Sequence, residues 1–204
     1  MYDHLLRRAK QTVYQPLATR TPFTPNALTG LGLIAGLSAA LLAALGLFRP
    51  ALICWLANRF LDGLDGEVAR AKESQSDLGG YLDILADLLV YAFIPAALAM
   101  YHQTSVTWFA TVFILASFYL NVGSWMYLSS ILEKRGQGAD KSGEITSVSM
   151  PRGLIEGGET VLFFTLFLLL PKLSWLLFLL FGALTFATAG GRVKWALSHL
   201  EGEA

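Results

Sequence analysis

The chain is poor in the residues that staple or metallate small proteins. It has one cysteine, Cys54, which excludes an internal disulfide framework and leaves the redox state of its compartment open. Cys54 lies inside an apolar run, where a lone thiol packs as a small hydrophobe. The three histidines, His4, His102 and His199, are far apart in sequence and offer no zinc-ligand spacing. Charge is scarce as well. Only 15% of residues are charged, against about a quarter in a soluble domain. Fifteen basic and fifteen acidic side chains cancel, so no net positive field points to a nucleic-acid partner. The N-terminal stretch MYDHLLRRAKQTVYQPLATRTPF is polar and basic and lacks the apolar core of a cleavable signal peptide.

What the chain has in quantity is apolar sequence. Hydrophobic residues make up 54% and mean hydropathy is +0.53, with several runs near or above the roughly 20 residues that cross a bilayer core. This composition points to an all-α, multi-pass integral membrane protein with no room for a water-soluble second domain. Six spans are expected: about Asn26 to Leu47, Ala51 into the segment DGLDGEVAR, about Gly80 to Met100, Ser105 to Leu132, about Gly153 to Leu170, and Leu173 to about Leu197. The expected organisation is a juxtamembrane segment at 1–24, a six-helix domain at 25–198 and a short tail at 199–204. In the first of these, Leu5, Leu6, Ala9, Val13 and Leu17 recur at helical spacing around Arg7, Arg8 and Lys10, the pattern of an amphipathic helix lying in the headgroup region. The Gly/Ser-rich stretch GQGADKSGEITSVSM at 136–150 reads as a mobile loop.

Basic residues orient the spans. Arg7, Arg8, Lys10, Arg20, Arg70, Lys72, Lys134, Arg135, Lys141, Arg152, Arg192 and Lys194 all fall on one side, and only Arg49 and Lys172 on the other. The positive-inside rule then puts both termini on the cytoplasmic side. The segment DGLDGEVAR falls there too.

Acids in an apolar span demand an explanation, because a carboxylate near the centre of a membrane helix costs about 2.5–3.5 kcal/mol. Asp62, Asp65, Gly66 and Ala69 share a helical face, and Asp83 and Asp87 stack four apart on the next span. The link at 71–79 returns the second helix antiparallel to the first, so the acidic faces can meet. Four carboxylates in one pocket repel unless cations sit among them, and hard oxygen ligands favour Mg²⁺ or Mn²⁺. Gly63, Gly66, Gly79 and Gly80 keep the helix surfaces beside these acids bare, either for a flat or anionic group or for tight helix packing. Arg70 adds a guanidinium fork suited to phosphate.

The full spacing, Asp62-x2-Asp65-Gly66-x2-Ala69-Arg70-x8-Gly79-x3-Asp83-x3-Asp87, resembles the signature of the CDP-alcohol phosphatidyltransferase family at every defined position. The upstream Pro25-Asn26-x2-Thr29 and the number of spans extend the resemblance along the chain. The resemblance implies an enzyme that transfers a phosphatidyl or related substituted-phosphate group from a CDP-linked lipid to an alcohol, releasing CMP. It implies that Asp62, Asp65 and Asp83 hold a pair of divalent ions, with Asp87 as a further ligand and the proton acceptor. Gly66 and Arg70 would contact the CDP moiety, with Asn26, Thr29 and Ser76 assisting, and the enzyme would be a homodimer.

Arg135, Arg152 and Arg192 are candidates for binding a phosphorylated acceptor, or are ordinary cytoplasmic anchors. Glu156 and Glu159 share a face at the start of the fifth span and could bind acceptor hydroxyls or a basic partner, or simply meet water. Two other classes also place aspartates in membranes. An intramembrane prenyltransferase would need two separated Asp-rich motifs in a larger bundle, and a cation transporter would need mid-membrane charges and internal symmetry. Neither pattern is visible.

Overall fold

The computed structural model describes residues 14–136 and 153–200. Most of the expected amphipathic segment, almost all of the 136–150 loop, Arg152 and residues 201–204 therefore lie outside the described residues. Every regular element is helical: α1 (Pro25–Ala44), α2 (Phe48–Ala71), α3 (Asp77–His102), α4 (Ser105–Lys134), α5 (Gly157–Leu169) and α6 (Ser174–Leu200). A 3₁₀ turn at Pro171–Leu173 precedes α6, and residues 14–20 are also helical. The chain divides into two compact units. One holds α1 to α3 with residues 167–171, and the other holds α4, most of α5 and α6.

In the first unit, local chemistry sets the helix ends. Thr24 caps α1 by accepting from the Ala27 N–H at 3.3 Å, and Pro25 follows at the first helical position, where its missing N–H costs nothing. The α1–α2 turn passes through Gly46 at φ 75°, with the Tyr101 ring packed over it, so no side chain would fit there. Ser76 caps α3 by accepting from the Gly79 N–H at 3.1 Å. Lys72, just beyond α2, donates to the carbonyls of Thr21 and Phe23 at 3.0 and 2.9 Å. That tie fixes the lead-in to α1 against the end of α2.

Small residues let α1 come close to both partners. Gly32, Gly36, Ala39, Ala40 and Ala43 are buried along it. A Cβ on Gly36 would overlap the Val90 methyls of α3 and lie 3.2 Å from the Asn58 amide of α2. Asn58, itself buried, donates to the Gly32 carbonyl at 2.9 Å and joins α1 to α2 by a bond hidden from solvent. Below it, Leu28, Leu64, Val68 and Ala18 form a buried cluster flanked by Tyr14 and Leu61.

The second unit is held by aromatic packing. Phe164, Phe178 and Phe181 are fully buried, and Phe181 meets Phe163 at 4.8 Å and Phe118 at 5.6 Å between ring centroids. Gly182 gives the Phe113 ring its place. The α5 helix begins four residues later than the sequence predicts, because the Leu154 and Ile155 N–H groups are taken by the Thr188 hydroxyl at 3.1 Å each.

Among the described residues, four segments are long and apolar enough to cross a bilayer: α1, α3, α4 and Pro171–Leu200. The remaining two of the six expected spans differ for distinct reasons. The α2 helix has 24 residues but carries Arg49, Arg59, Asp62, Asp65, Glu67 and Arg70. The α5 helix is apolar but only 13 residues long, about 20 Å at 1.5 Å per residue. Large apolar side chains face outward on these helices, with Ile34, Leu41, Ile53, Phe109 and Val112 each more than 60% exposed. Lipid accepts such a surface and water does not.

Gly36→Ala is expected to destabilise the protein by about 1–3 kcal/mol, the usual cost of overfilling a packed contact. The check is the unfolding midpoint of the detergent-solubilised variant, and an unchanged midpoint would contradict the close approach of α1 to α3.

Candidate active site

The polar part of the first unit lies where the C-terminal half of α2 faces the N-terminal half of α3, with α1 alongside. Asp62 and Asp65 come from α2 and Asp83 and Asp87 from α3. All four line one cleft together with Thr29, Gly32, Leu33, Asn58 and Ala86. The meeting of the two acidic faces expected from helical periodicity is thus present.

The acids differ in what supports them. Asp65 is the most buried, 5% exposed, and accepts from the Thr29 hydroxyl at 2.6 Å. That short charge-assisted bond engages Thr29 with its own protein's carboxylate. Asp62 and Asp83 line the same cleft from α2 and α3. Carboxylates that share a cleft repel when ionised, and cations among them relieve that repulsion.

Asp87 is held by a residue that the sequence reading passed over. Arg59 donates from its two terminal nitrogens to Asp87, at 2.6 Å to Oδ1 and 3.3 Å to Oδ2. Its NH1 also donates to the Tyr91 hydroxyl at 2.9 Å, and that hydroxyl donates onward to Asp87 Oδ2 at 3.1 Å. Nε donates to Asn58 Oδ1 at 2.8 Å. The guanidinium lies 4.9 Å from the Trp55 ring centre and 5.3 Å from that of Tyr91. Asp62 sits 3.6 Å from the same cation, one helical turn on. A signal for Arg59 does exist in the sequence: it lies inside the second span, belongs to neither side of the charge count, and shares a face with Asp62 three residues later.

The donor chemistry fits a hard divalent ion. Four carboxylates against one guanidinium leave three formal negative charges in the cleft when all are ionised. The arrangement is one of converging carboxylates, and not a closed ligand set. Among the described residues, no group of three or more His, Cys, Asp or Glu side chains is disposed to hold an ion.

The other predicted residues fall in two places. Gly66 lies beneath Arg70, whose guanidinium nitrogens are 3.5 Å from where a side chain on Gly66 would begin. Arg70 also pairs with Glu67 at 3.0 Å while remaining half exposed. Asn26, Ser76 and Gly79 meet where α1 and α3 begin, and a Cβ on Gly79 would lie 3.1 Å from Ser76 Oγ and 3.3 Å from Asn26 Oδ1. Gly63 has a structural use instead: Tyr14 packs over it, with its hydroxyl 2.8 Å from the position of a Cβ. Gly80 faces open space.

In the second unit, the Arg135 side chain donates to the Leu200 carbonyl at 3.1 Å. Arg192, 7% exposed, donates to Asn121 Oδ1, and its Nε has no hydrogen-bond partner among the described residues. Glu159 accepts from the Glu156 N–H at 3.1 Å and so closes the start of α5 as a capping residue.

Comparison with known proteins identifies the family. Residues 23–189 match the family model for CDP-alcohol phosphatidyltransferases. The chain belongs to that family and is an integral membrane enzyme of the class, a CDP-alcohol phosphatidyltransferase. It is 36% identical over 196 residues to the inner membrane protein YnjF of Escherichia coli, covering 93% of this chain and 92% of that one. It is 46% identical over 86 residues to the bifunctional IPC transferase and DIPP synthase of Aquifex aeolicus, which spans 41% of this chain but only 19% of that protein. A CDP-diacylglycerol–serine O-phosphatidyltransferase of Mycobacterium tuberculosis is 40% identical over 72 residues, 35% of this chain and 25% of the relative. In fold, the chain is similar to the crystal structure of Mycobacterium tuberculosis phosphatidylinositol phosphate synthase with CDP-DAG bound. That match has a TM-score of 0.69 and 20% identity, covering 90% of this chain and 92% of the other.

Thr29→Val keeps the side-chain shape and removes the donor to Asp65. It is expected to cost about 1.5–3 kcal/mol, as for other bonds to charged groups. Chemical denaturation of the solubilised protein measures it, and a loss below a few tenths of a kcal/mol would mean that Asp65 is satisfied without Thr29.

Proposed function

We propose that the chain transfers a phosphatidyl, or related substituted-phosphate, group from CDP-diacylglycerol to an alcohol acceptor, releasing CMP, as a step of phospholipid biosynthesis. The observation that carries this reading is the convergence of Asp62, Asp65, Asp83 and Asp87 of one family signature on a single cleft between neighbouring helices. The CDP-DAG bound to the neighbour of similar fold supports the choice of donor. A donor with acyl chains and a nucleotide suits a polar cleft in an apolar bundle.

In this reading Asp62, Asp65 and Asp83, with Asp87 as a further ligand, hold Mg²⁺ or Mn²⁺, two ions in all. When bound, these supply the positive charge that a pyrophosphate and a departing CMP require. The chain's own groups do the rest. Arg70, half exposed beside bare Gly66, turns its fork from Glu67 to a donor phosphate. Asn26, Thr29 and Ser76 stand near the entrance of α1 and α3 to position the CDP moiety. Asp87 takes the proton of the acceptor hydroxyl as that oxygen bonds to the lipid-side phosphorus and the bond to CMP breaks. The transfer is direct, with no covalent enzyme intermediate.

Arg135, Arg152 and Arg192 are assigned to an anionic group on the acceptor. The buried guanidinium of Arg192, with an unpartnered Nε, supports an acceptor that bears phosphate. The same reading has α2 and α5 cross the membrane alongside the four apolar segments, with the active site and both termini cytoplasmic and two copies forming a homodimer.

The test is CMP release by purified protein given CDP-diacylglycerol, Mg²⁺ and a panel of glycerol 3-phosphate, serine, inositol and inositol phosphate. One acceptor is expected to drive turnover, with a loss of about 10²–10⁴-fold in Asp87→Asn, the range for removing a general base. Excess chelator is expected to abolish the reaction. Full turnover in chelator would overturn the metal-dependent mechanism. CMP release that needs a CDP-linked polar alcohol and a lipid acceptor would reverse the roles of donor and acceptor.

A further inference from the structure

Within the first unit, Arg59 is the buried charged group that the proposed reaction leaves without a task. Its side chain is 9% exposed, yet it is the best anchored in the cleft. One line of contacts starts at the Gly32 carbonyl of α1, passes through the Asn58 side chain, and ends at Arg59 Nε. A second comes from the ring faces of Trp55 and Tyr91, which lie against the guanidinium. Both leave the terminal nitrogens aimed at Asp87, which receives the fork on both oxygens and the Tyr91 hydroxyl on one of them. Trp55 and Arg59 are four apart on α2, and Asp87 and Tyr91 four apart on α3, so two helical turns build the whole cage.

We propose that Arg59 is a positioning residue for the transfer: it fixes the Asp87 carboxylate in one orientation among three other acids, and Trp55, Asn58 and Tyr91 exist to hold Arg59 still. The inference rests on the reading of Asp87 as proton acceptor. An unsupported carboxylate beside Asp62, Asp65 and Asp83 would be pushed aside by like charge. A guanidinium answers that push with a planar, two-point grip, and it neither donates nor accepts a proton at working pH. The proton taken by Asp87 therefore comes from the acceptor, and Arg59 stays a cation throughout. A lysine would supply the charge without the fork.

The experiment compares Arg59→Met, Arg59→Lys, Asp87→Asn and the Arg59→Met/Asp87→Asn pair in purified, CDP-diacylglycerol-consuming protein. Readouts are kcat, KM for the donor and the unfolding midpoint. Arg59→Met is expected to lower kcat about 100-fold, the cost of a reacting group misplaced by an ångström, with donor KM within about threefold of wild type. Arg59→Lys is expected to fold and to show an intermediate kcat with unchanged KM. Adding Arg59→Met to Asp87→Asn is expected to cost nothing further in kcat, because the two act as one unit.

Wild-type kcat in Arg59→Lys, should Arg59→Met fail to fold, overturns the proposal, as does wild-type kcat in a folded Arg59→Met. A further loss of tenfold or more in the Arg59→Met/Asp87→Asn pair beyond that of Asp87→Asn also overturns it, since Arg59 would then act otherwise than through Asp87. Full turnover by Asp87→Asn removes the proton-acceptor reading and this inference with it. Loss in Asp87→Asn with none in either Arg59 variant removes this inference alone.

Discussion

A carboxylate inside an apolar helix bundle has to be met by positive charge or by hydrogen-bond donors, and the first unit is organised around that demand. Four aspartates on α2 and α3 line one cleft, and each is met differently. Thr29 reaches from α1 to Asp65, Arg59 and Tyr91 grip Asp87, and Asp62 and Asp83 line the cleft beside them. The first two are supported by the protein alone. Asp62 lies 3.6 Å from the Arg59 guanidinium, and Asp83 lines the same cleft.

Packing serves the same end. A donor on α1 helps Asp65 only if the helix backbones run close, and Gly32, Gly36 and the alanines that follow permit it. Asn58 does double duty here. Its amide nitrogen bonds to the α1 backbone, while its oxygen takes Arg59, so the same side chain sets a helix contact and orients a cation. Capping by Thr24 and Ser76 places the starts of α1 and α3 where Asn26 and Gly79 come together. Stability and site geometry are thus carried by shared residues, and a substitution at Asn58 or Gly36 would disturb both.

Much of this was legible in the sequence because the relevant patterns are local. Steps of three and four along a helix put Asp62 with Asp65 and Asp83 with Asp87, and a short link turns the second pair back on the first. The helical character and four of the expected spans follow from apolar run length. The α2 helix departs from the apolar criterion because the site itself loads it with charge. The α5 helix is apolar but falls short in length, with the Leu154 and Ile155 amides bonded to the Thr188 hydroxyl ahead of it. Arg59 was obscured for a different reason. A single basic residue in a span reads as an anchor until a partner from another helix is known, and Asp87 lies 28 positions away. Gly63 is similar: bareness in a sequence does not say whether substrate or Tyr14 fills the space.

The chain belongs to the CDP-alcohol phosphatidyltransferase family, and its four aspartates line one cleft. The central claim is that these acids cage divalent ions which in turn grip a nucleotide diphosphate. Isothermal titration of CDP into the purified protein, with Mg²⁺ and again with excess chelator, tests it most directly. Saturable binding with Mg²⁺ that vanishes in chelator is the predicted result. Equal affinity under both conditions would contradict it, because the nucleotide would then be held without the ions the aspartates are placed to bind.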